Sequence, residues 1–536
     1  MVERVWCRKV ISSRATKEFL ERKLNNYDWV KQVSEKDLDA EIGWLRPKPS
    51  FKTPLWKHQK AGFLVGMAEP KFLFLYDMGI GKSKMILDIL AHRAQLNGAS
   101  NVESWRRALV LVPNNSNIYS WQQDAAKHMQ GPYRGIEMAL EILAGTSDEK
   151  WWAYNRMFVD HPNGPTVFVA SYPGLLSMVC HKADGKMIID PEKLAWFTDQ
   201  IQAVVFDEST ELKNWNSLTY DVCKRLAEAC PIRYALAGFP HGRNPADLWA
   251  QFRIIDGGET LGPTLGLFRS AFFDQKKNYW GGYEYTLQPE RKDQLHQTIK
   301  NKSLRYVAEE CIDLPERIAI KKPVELGREQ RKHYTNAVNG IIEAKGNKLE
   351  LKNAFVRLRQ ICSGFLGLKT DSMKIEMALP TNPKLDLLME MLQEMPATAK
   401  AIVFHDYIWS GAQIEKALGE EKIGCGRLWS GTKDHGKVLE DFNSDPKCRV
   451  LVVNNQSGAY GLNLQVSNYV FFYETPLSLI DRQQAERRSR RGGQKASKVF
   501  IYDLVCQRTV EEKLLAYMED GKDLFAAIVD GKETLR

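Results

Sequence analysis

The sequence predicts an α/β protein made of two tandem parallel sheets with helical insertions between them. Three observations lead there. Five short apolar runs, Phe72 to Tyr76, Ala108 to Val112, Thr166 to Ala170, Ala203 to Phe206 and Tyr234 to Ala237, recur at intervals suited to βα units. Such near-continuous apolar runs are what parallel strands covered on both faces require. A second series repeats the pattern at Ala401 to Phe404, Arg449 to Val453, Tyr469 to Tyr473 and Lys498 to Tyr502. Between the two series lies a polar, charged stretch rich in Lys, Gln and Glu, with helix-compatible segments such as Leu349 to Cys362. The expected organisation is therefore an N-terminal segment of unreadable role over 1–50 and a first lobe over 51–256. A linker with helical insertions follows over 257–380, then a second lobe with C-terminal helices over 381–536.

Composition bounds the possibilities without choosing among them. At 536 residues the chain has room for about three domains, and 44% hydrophobic with 26% charged residues describes an ordinary globular sequence. Lysine and arginine exceed acidic residues by 75 to 66. So mild an excess suits a polyanion-binding surface but does not require one. Nine cysteines, an odd number with no C-x-x-C pair, argue against a disulfide framework or a zinc module and for reduced, mostly buried thiols. No apolar signal core opens the chain, and no stretch reaches the roughly 18 apolar residues of a membrane span. The expectation is a cytoplasmic protein with no membrane partner. No short-period repeat or low-complexity tract is present.

The first strand hands over to a helix through Asp77-Met78-Gly79-Ile80-Gly81-Lys82-Ser83. Glycines there let successive backbone N–H groups face a polyphosphate, Lys82 can neutralise its charge and the Ser83 hydroxyl can ligate Mg²⁺. The first glycine of the usual G-x-x-x-x-G-K-[ST] pattern is replaced by Tyr76. Val204-Val205-Phe206-Asp207-Glu208 then puts two carboxylates at the end of an apolar strand, the edge at which α/β sheets bind ligands. Asp207 can hold Mg²⁺, and Glu208 can orient and deprotonate an attacking water. A lone Asp-Glu pair is usually a solvated strand end. An upstream Lys82-Ser83 loop gives it a partner. Gln484 to Gln494 carries an arginine cluster just before the last strand of the second series. Guanidinium groups can stabilise the charge of γ-phosphate cleavage, although such a run is also compatible with a solvated basic face or a nuclear-localisation signal.

With these residues the chain resembles the SWI/SNF-type ATPases of helicase superfamily two, whose two RecA-like lobes carry motifs in fixed order. Leu55 to Gly62 resembles the segment before motif I, which implies Gln59 as the adenine contact. Motif I is Asp77 to Ser83, so that Gly79, Ile80, Gly81, Lys82 and Ser83 hold the nucleotide. Ala108 to Pro113, running on to Trp121, resembles motif Ia, and Val169 to Pro173 resembles motif Ib. Motif II is Asp207-Glu208-Ser209-Thr210, continued by Leu212-Lys213-Asn214. Leu236 to Pro240, with Asn244 and Asp247 to Trp249, is similar to the motif III region. Arg357 to Cys362 resembles a segment between the lobes, Ile402 to Phe404 motif IV, Ser457 to Leu464 motif V and Gln484 to Gln494 motif VI. Arg488 and Arg491 fall at the arginine-finger positions. The resemblance runs from about Pro54 to Lys513. It departs at motif III, where Ala237 and Phe239 replace usual threonines, and at motif V, where Ala459 replaces a glycine.

The resemblance implies an ATP- and Mg²⁺-dependent motor on DNA, double-stranded rather than single-stranded, in which the catalytic set is Lys82, Asp207, Glu208, Arg488 and Arg491 and hydrolysis is conditional on closure of the lobes. Motifs Ia, Ib, IV and V then grip the phosphodiester backbone. Asn114, Ser116, Asn117, Ser171, His405 and Gln456 are the candidate contacts, since such loops need donors more than base-reading groups. Tyr172, Tyr407 and Trp429 read as core rather than as base-stacking residues. A strand-separating helicase on DNA or RNA is the alternative, and no wedge segment is evident for it. A catalytically idle binding module is disfavoured by the intact hydrolytic set. Without recognisable added modules, the expectation is a monomeric, stand-alone motor of bacterial or viral type, in the cytoplasm rather than a nucleus.

Overall fold

Apolar strands separated by helices can pair in parallel only through crossovers, and the chain does this twice. The computed structural model describes residues 27–96, 105–129, 137–238, 245–277, 283–343, 348–369, 374–455, 464–492 and 494–520. The strands of the first unit are β1 (Lys71–Tyr76), β2 (Arg107–Val112), β3 (Ala139–Leu143), β4 (Thr166–Ser171), β5 (Cys180–Ala183), β6 (Lys186–Ile189), β7 (Ala203–Phe206), β8 (Ile232–Leu236), β9 (Phe273–Lys277), β10 (Tyr283–Leu287) and β11 (Ser303–Tyr306). Those of the second are β12 (Glu316–Val324), β13 (Phe365–Lys369), β14 (Lys374–Ala378), β15 (Ala401–His405), β16 (Gly424–Leu428), β17 (Cys448–Asn454), β18 (Tyr469–Phe472) and β19 (Lys498–Cys506). The units divide at Ile312 and Asp313.

In the first unit an all-parallel sheet runs β11-β1-β8-β7-β2-β4-β3. Its central strands β1, β2, β4, β7 and β8 are buried almost throughout, which is why their sequences read as unbroken apolar runs. In the second unit a parallel sheet runs β12-β19-β18-β15-β17-β16. The remaining pairs, β5/β6, β9/β10 and β13/β14, are antiparallel hairpins outside the two sheets. Each of the nine strands expected from apolar runs is present. The four edge or near-edge strands β3, β11, β12 and β16 were not expected. Polar or small residues interrupt them, as Glu316, Lys321 and Lys322 do in β12, and so they lack the continuous apolar signature.

The expected linker over 257–380 is corrected by two of these strands. Ser303–Tyr306 pairs with β1 in the first sheet, and Glu316–Val324 pairs along its whole length with β19 in the second. The crossover between units is thus confined to a few residues around 312, and both flanks are structural parts of the lobes. The expected N-terminal segment is corrected likewise in its described part. The helix Glu35–Trp44 buries Leu38 and Ile42, Tyr27 Oη donates to Glu69 Oε1 at 2.7 Å, and Lys60 reaches both Glu35 and Asp39 at 2.8 Å.

Within the second unit the helix Pro383–Glu394 is tied to β19 and the helix Val510–Glu519 by a charge pair. Lys384 Nζ, with no accessible side-chain surface, lies 2.6 Å from both Glu511 oxygens and donates to Tyr473 O at 3.2 Å. Glu511 also accepts from Cys506 N at 3.0 Å. Cys362 and Cys506 lie close to this carboxylate, whose two oxygens are already taken by the ammonium. The eight described cysteines are all free, six of them buried, as the odd count and spacing predict. Among the described residues no helix is long and apolar enough to cross a membrane.

Removing one member of a buried pair leaves the other charge uncompensated, at about 3–5 kcal/mol. Lys384→Met should therefore lower the urea midpoint of the second unit's unfolding, followed by circular dichroism. The double substitution Lys384→Met/Glu511→Leu should recover most of the loss. Equal midpoints for Lys384→Met and the unmodified chain would show that the pair contributes nothing.

Candidate active site

The loop after β1 is built by backbone freedom at two glycines. Gly79 and Gly81 have φ of 81° and 77°, in the left-handed region. At Gly81 a Cβ would also come within 2.2 Å of Gln59 Nε2. Gln59 is buried, and its amide is engaged inside the loop: Nε2 donates to Ile80 O at 3.2 Å and Gly81 O at 3.3 Å, while Oε1 accepts from Trp56 N at 2.9 Å. In this structure it braces the phosphate loop from below. His58, on the same helix, adds a bond from Nε2 to Ile80 O at 2.7 Å. The helix Lys82–Ala94 starts at the loop, with Lys82 and Ser83 in its first turn.

Tyr76 is a fully buried strand residue whose hydroxyl donates to His58 O at 2.9 Å. It fits because residue 62 is glycine: a Cβ there would sit 2.5 Å from the Tyr76 hydroxyl. Asp77 joins the loop to the unexpected strand β11. Its N–H donates to Tyr306 O at 3.1 Å, and its Oδ2 accepts from Ala308 N at 3.0 Å.

Because all strands of the sheet are parallel, the carboxyl ends of β1 and β7 share one edge, and the carboxylates meet the loop there. Lys82 Nζ lies 3.3 Å from Glu208 Oε1, with both side chains about nine-tenths buried. Glu208 itself has φ of 46°, a left-handed conformation that costs a non-glycine residue about 1–3 kcal/mol and is characteristic of functional sites. Asp207 is 7% exposed. Its Oδ2 accepts from Trp121 Nε1 at 2.8 Å, its Oδ1 from Glu208 N at 3.0 Å, and its carbonyl from the Tyr172 hydroxyl at 2.9 Å. Burial pushes the Asp207 carboxyl up to about 6 and the Glu208 charge adds to the rise, while Lys82 and the Trp121 N–H oppose it. The donor set suits a Mg²⁺-bound polyphosphate: an ammonium, a left-handed glycine loop, and only hard oxygen ligands in Ser83 and Asp207.

The candidate backbone contacts fare differently. Asn114 caps the helix Asn115–His128, its side chain accepting from Ser116 N at 3.0 Å and Asn117 N at 3.3 Å. Ser171 caps the helix Tyr172–Val179 and donates to Asn115 Oδ1 at 3.0 Å. Asn117 and Ser171 are buried. Neither presents an exposed donor in this structure, and the Ser171 hydroxyl accepts from Gly174 N as the helix cap. Asn115, which the sequence reading passed over, is exposed at this edge. His405 is corrected as well. It is fully buried at the end of β15, its Nδ1 bonds to Tyr407 O at 2.9 Å, and burial together with Arg427 lowers its pKa to about 4. Gln456, Ser457 to Asn463 of motif V, and Phe239 to Asn244 of motif III lie outside the described residues.

Arg488 and Arg491 belong to the second unit, at the end of the helix Leu479–Ser489 and just beyond it. That helix is fixed by a network the sequence did not disclose. Arg482 pairs with both Asp503 oxygens and with Glu486 Oε1 at 2.7 Å, and its guanidinium lies 3.6 Å from the Phe472 ring centre. Arg317 of β12 binds Glu486 bidentately at 2.7 and 3.0 Å. Arg488 has no accessible surface and Arg491 is half-buried. A second network joins Arg359 to Asp406 Oδ2 at 2.5 Å and Thr475 O at 2.6 Å, and Asn455 to Asp406 Oδ1 at 2.5 Å. No spacing rule links such distant residues. Arg359 and Glu486, inside segments that carry the family resemblance, were the members with a sequence signal.

The chain is similar to known proteins along most of its length. The SNF2-related domain family matches residues 58–374, and the helicase conserved C-terminal domain matches 383–493. A "DNA repair and recombination protein RAD54-like" of Drosophila ananassae is 24% identical over 91% of this chain and 64% of its own length. "Protein CHROMATIN REMODELING 5" of Arabidopsis thaliana is 23% identical over 90% of this chain and 27% of its own. The chain thus spans less than two thirds of these relatives. The solved "SWI2/SNF2 ATPase core in complex with dsDNA" of Sulfolobus solfataricus aligns over 90% of this chain and 94% of its own at 18% identity, with a TM-score of 0.37.

A carboxyl held above its ordinary value makes the native state bind its proton more tightly than the unfolded state does. The ionised form is then a cost to the fold above pH 6, and that cost fades as pH falls toward 4. Asp207→Asn should accordingly raise the thermal midpoint of the nucleotide-free protein at pH 7.5. The gain should shrink through pH 6 and vanish near pH 4, as thermal scans across this range will report.

Proposed function

Since this chain belongs to the SNF2-related family of SWI/SNF-type ATPases in helicase superfamily two, we propose that it is a DNA-dependent ATPase that moves along double-stranded DNA and remodels protein–DNA or branched DNA structures. The observation that carries the reading is the buried constellation at one sheet edge: Lys82 at 3.3 Å from Glu208, with Asp207 beside it and a left-handed glycine loop in front. ATP and Mg²⁺ are the cofactors this reading assigns. The ion, when bound, draws charge from the β and γ phosphates.

The chain's own groups divide the remaining work. The loop N–H groups and Lys82 bind the phosphates, and Asp207 and Ser83 supply oxygen ligands. Glu208, held by Lys82 in the absence of nucleotide, turns to a water once phosphate oxygens compete for the ammonium. Its left-handed backbone then aims the carboxylate from the strand end. Arg488 and Arg491 are assigned by family resemblance to the charge that develops at the γ phosphate. The RAD54-like relative, a DNA repair and recombination protein, supports DNA as the partner. A strand-separating helicase remains the second reading by family breadth, since an uncharacterised ATP-dependent helicase of Mycoplasma pneumoniae is 22% identical over 88% of this chain.

Glu208→Gln should retain Mg²⁺–ATP binding and lose turnover, because this carboxylate acts on water. Lys82→Ala should weaken both, because the ammonium compensates phosphate charge in ground and transition states alike. Nucleotide titration and steady-state hydrolysis on the same preparations separate the two. Near-normal turnover in Glu208→Gln would remove Glu208 from the mechanism.

Tracking a duplex by its phosphates predicts hydrolysis stimulated by double-stranded DNA of any sequence, with stimulation falling as salt rises because counterion release drives the contact. The protein should displace the third strand of a triplex and leave an ordinary tailed duplex paired. Duplex unwinding without triplex displacement, under one set of conditions, would select the strand-separating reading instead.

A further inference from the structure

The indole of Trp121 is a buried polar group at the site to which the hydrolytic scheme assigns no role. Its residue is 1% exposed on the helix Asn115–His128, and Nε1 donates to Asp207 Oδ2 at 2.8 Å. A buried indole N–H needs a partner, but a backbone carbonyl is sufficient. Three other tryptophans of the same unit take that course. Trp105 donates to Leu90 O at 2.9 Å, Trp151 to Met178 O at 3.2 Å and Trp249 to Gly262 O at 3.0 Å. Trp121 instead meets an anionic side chain across 86 residues of sequence, at the carboxylate that the nucleotide-site reading makes a Mg²⁺ ligand.

The geometry of the acceptor gives this contact its meaning. An ionised carboxylate has about four lone-pair sites. One on Oδ2 is taken by the Trp121 N–H and one on Oδ1 by Glu208 N, while the Tyr172 hydroxyl pins the carbonyl of the same residue. The carboxylate plane is therefore held from both oxygens, with one lone pair on each left over. Glu208 N sits on a backbone fixed by its own left-handed turn, so it cannot adjust the plane. The indole, carried on a separate helix, decides which way the plane faces.

We propose that Trp121 is a positioning residue for the metal site, its indole N–H fixing the Asp207 carboxylate so that the remaining lone pairs are presented to the Mg²⁺ that accompanies the nucleotide. This rests on the reading of Asp207 as a Mg²⁺ ligand. Hydrogen-bond partners of metal-ligating groups characteristically change metal affinity on the order of 10- to 100-fold when removed.

The test uses Mn²⁺ as the probe, titrated into the full chain with saturating ADP and followed by electron paramagnetic resonance of the free ion. Trp121→Phe should weaken Mn²⁺ binding on the order of 10- to 100-fold and leave ADP affinity in EDTA unchanged. Trp105→Phe, which deletes an indole bonded to a backbone carbonyl, should leave Mn²⁺ binding as it is. Should Trp121→Phe fail to fold, 3-benzothienylalanine at position 121 replaces the N–H by sulfur in the same shape, and the same loss is expected. Unchanged Mn²⁺ affinity in either position-121 variant, or an equal loss in Trp105→Phe, overturns the inference. Failure of the unmodified chain to bind Mn²⁺ with ADP overturns the metal-site reading itself and this inference with it.

Discussion

The contact on which the site depends is the burial of two adjacent carboxylates beside one ammonium. Asp207 and Glu208 are both less than a tenth exposed, and an uncompensated pair of like charges in that environment would be strongly unfavourable. Compensation comes from three directions: Lys82 at 3.3 Å from Glu208, the Trp121 indole on Asp207 and the backbone N–H of Glu208. Each of these groups has its own fixed origin. Lys82 starts a helix after β1, Trp121 lies on the helix after β2, and Glu208 N belongs to the turn after β7. Only an all-parallel sheet brings these three carboxyl ends to one edge. The parallel architecture is thus a requirement of the charge arrangement, which draws on the ends of three of the five central strands.

Backbone conformation stores part of the cost. Gly79 and Gly81 take left-handed dihedrals at no steric penalty, but Glu208 does so with a full side chain. The surroundings over-determine that turn: Ser209 donates to Gln251 at 2.7 Å directly after it, and Tyr172 holds the carbonyl directly before it. The loop after β1 is over-determined in the same way by Gln59 and His58 from beneath and by the β11 edge through Asp77. Rigidity of this kind is what a phosphate site needs, since backbone N–H groups already in place lose nothing to reorganisation when the ligand arrives.

How far the sequence disclosed this follows from the range of the interactions involved. The phosphate loop and the carboxylate pair were legible because each is a contiguous string at the end of an apolar run. Strands buried on both faces were legible for the same reason. The edge strands β11 and β12 were not, because a strand interrupted by charged residues, as β12 is by Lys321 and Lys322, reads as a helix or a linker. Asn114 and Ser171 show the limit for function. A short polar residue after a strand is equally what a helix cap and a phosphate contact require, and the hydrogen bonds to Ser116, Asn117 and Gly174 decide for the cap. His405 illustrates the reverse error, since a polar residue that ends an apolar strand can be buried with it. Trp121 was visible as a residue of its motif, but its bond to Asp207 spans the sheet and has no local trace.

The second unit solves a related problem with different groups. Its helix Leu479–Ser489 is held by two arginines, one from the helix and one from β12. Arg482 and Arg317 converge on Glu486, and Arg482 also takes both oxygens of Asp503 while lying over the Phe472 ring. Planar, bidentate pairing of this sort is available to arginine and not to lysine. A lysine at 482 could not hold both Asp503 oxygens and Glu486 at once. Because Glu486 is shared between the helix and β12, the helix cannot rotate without breaking a bidentate pair on the neighbouring strand. The unexpected strand β12 thereby acquires a purpose beyond completing a sheet: it sets the angle at which the helix delivers its last turn, the turn that carries Arg488.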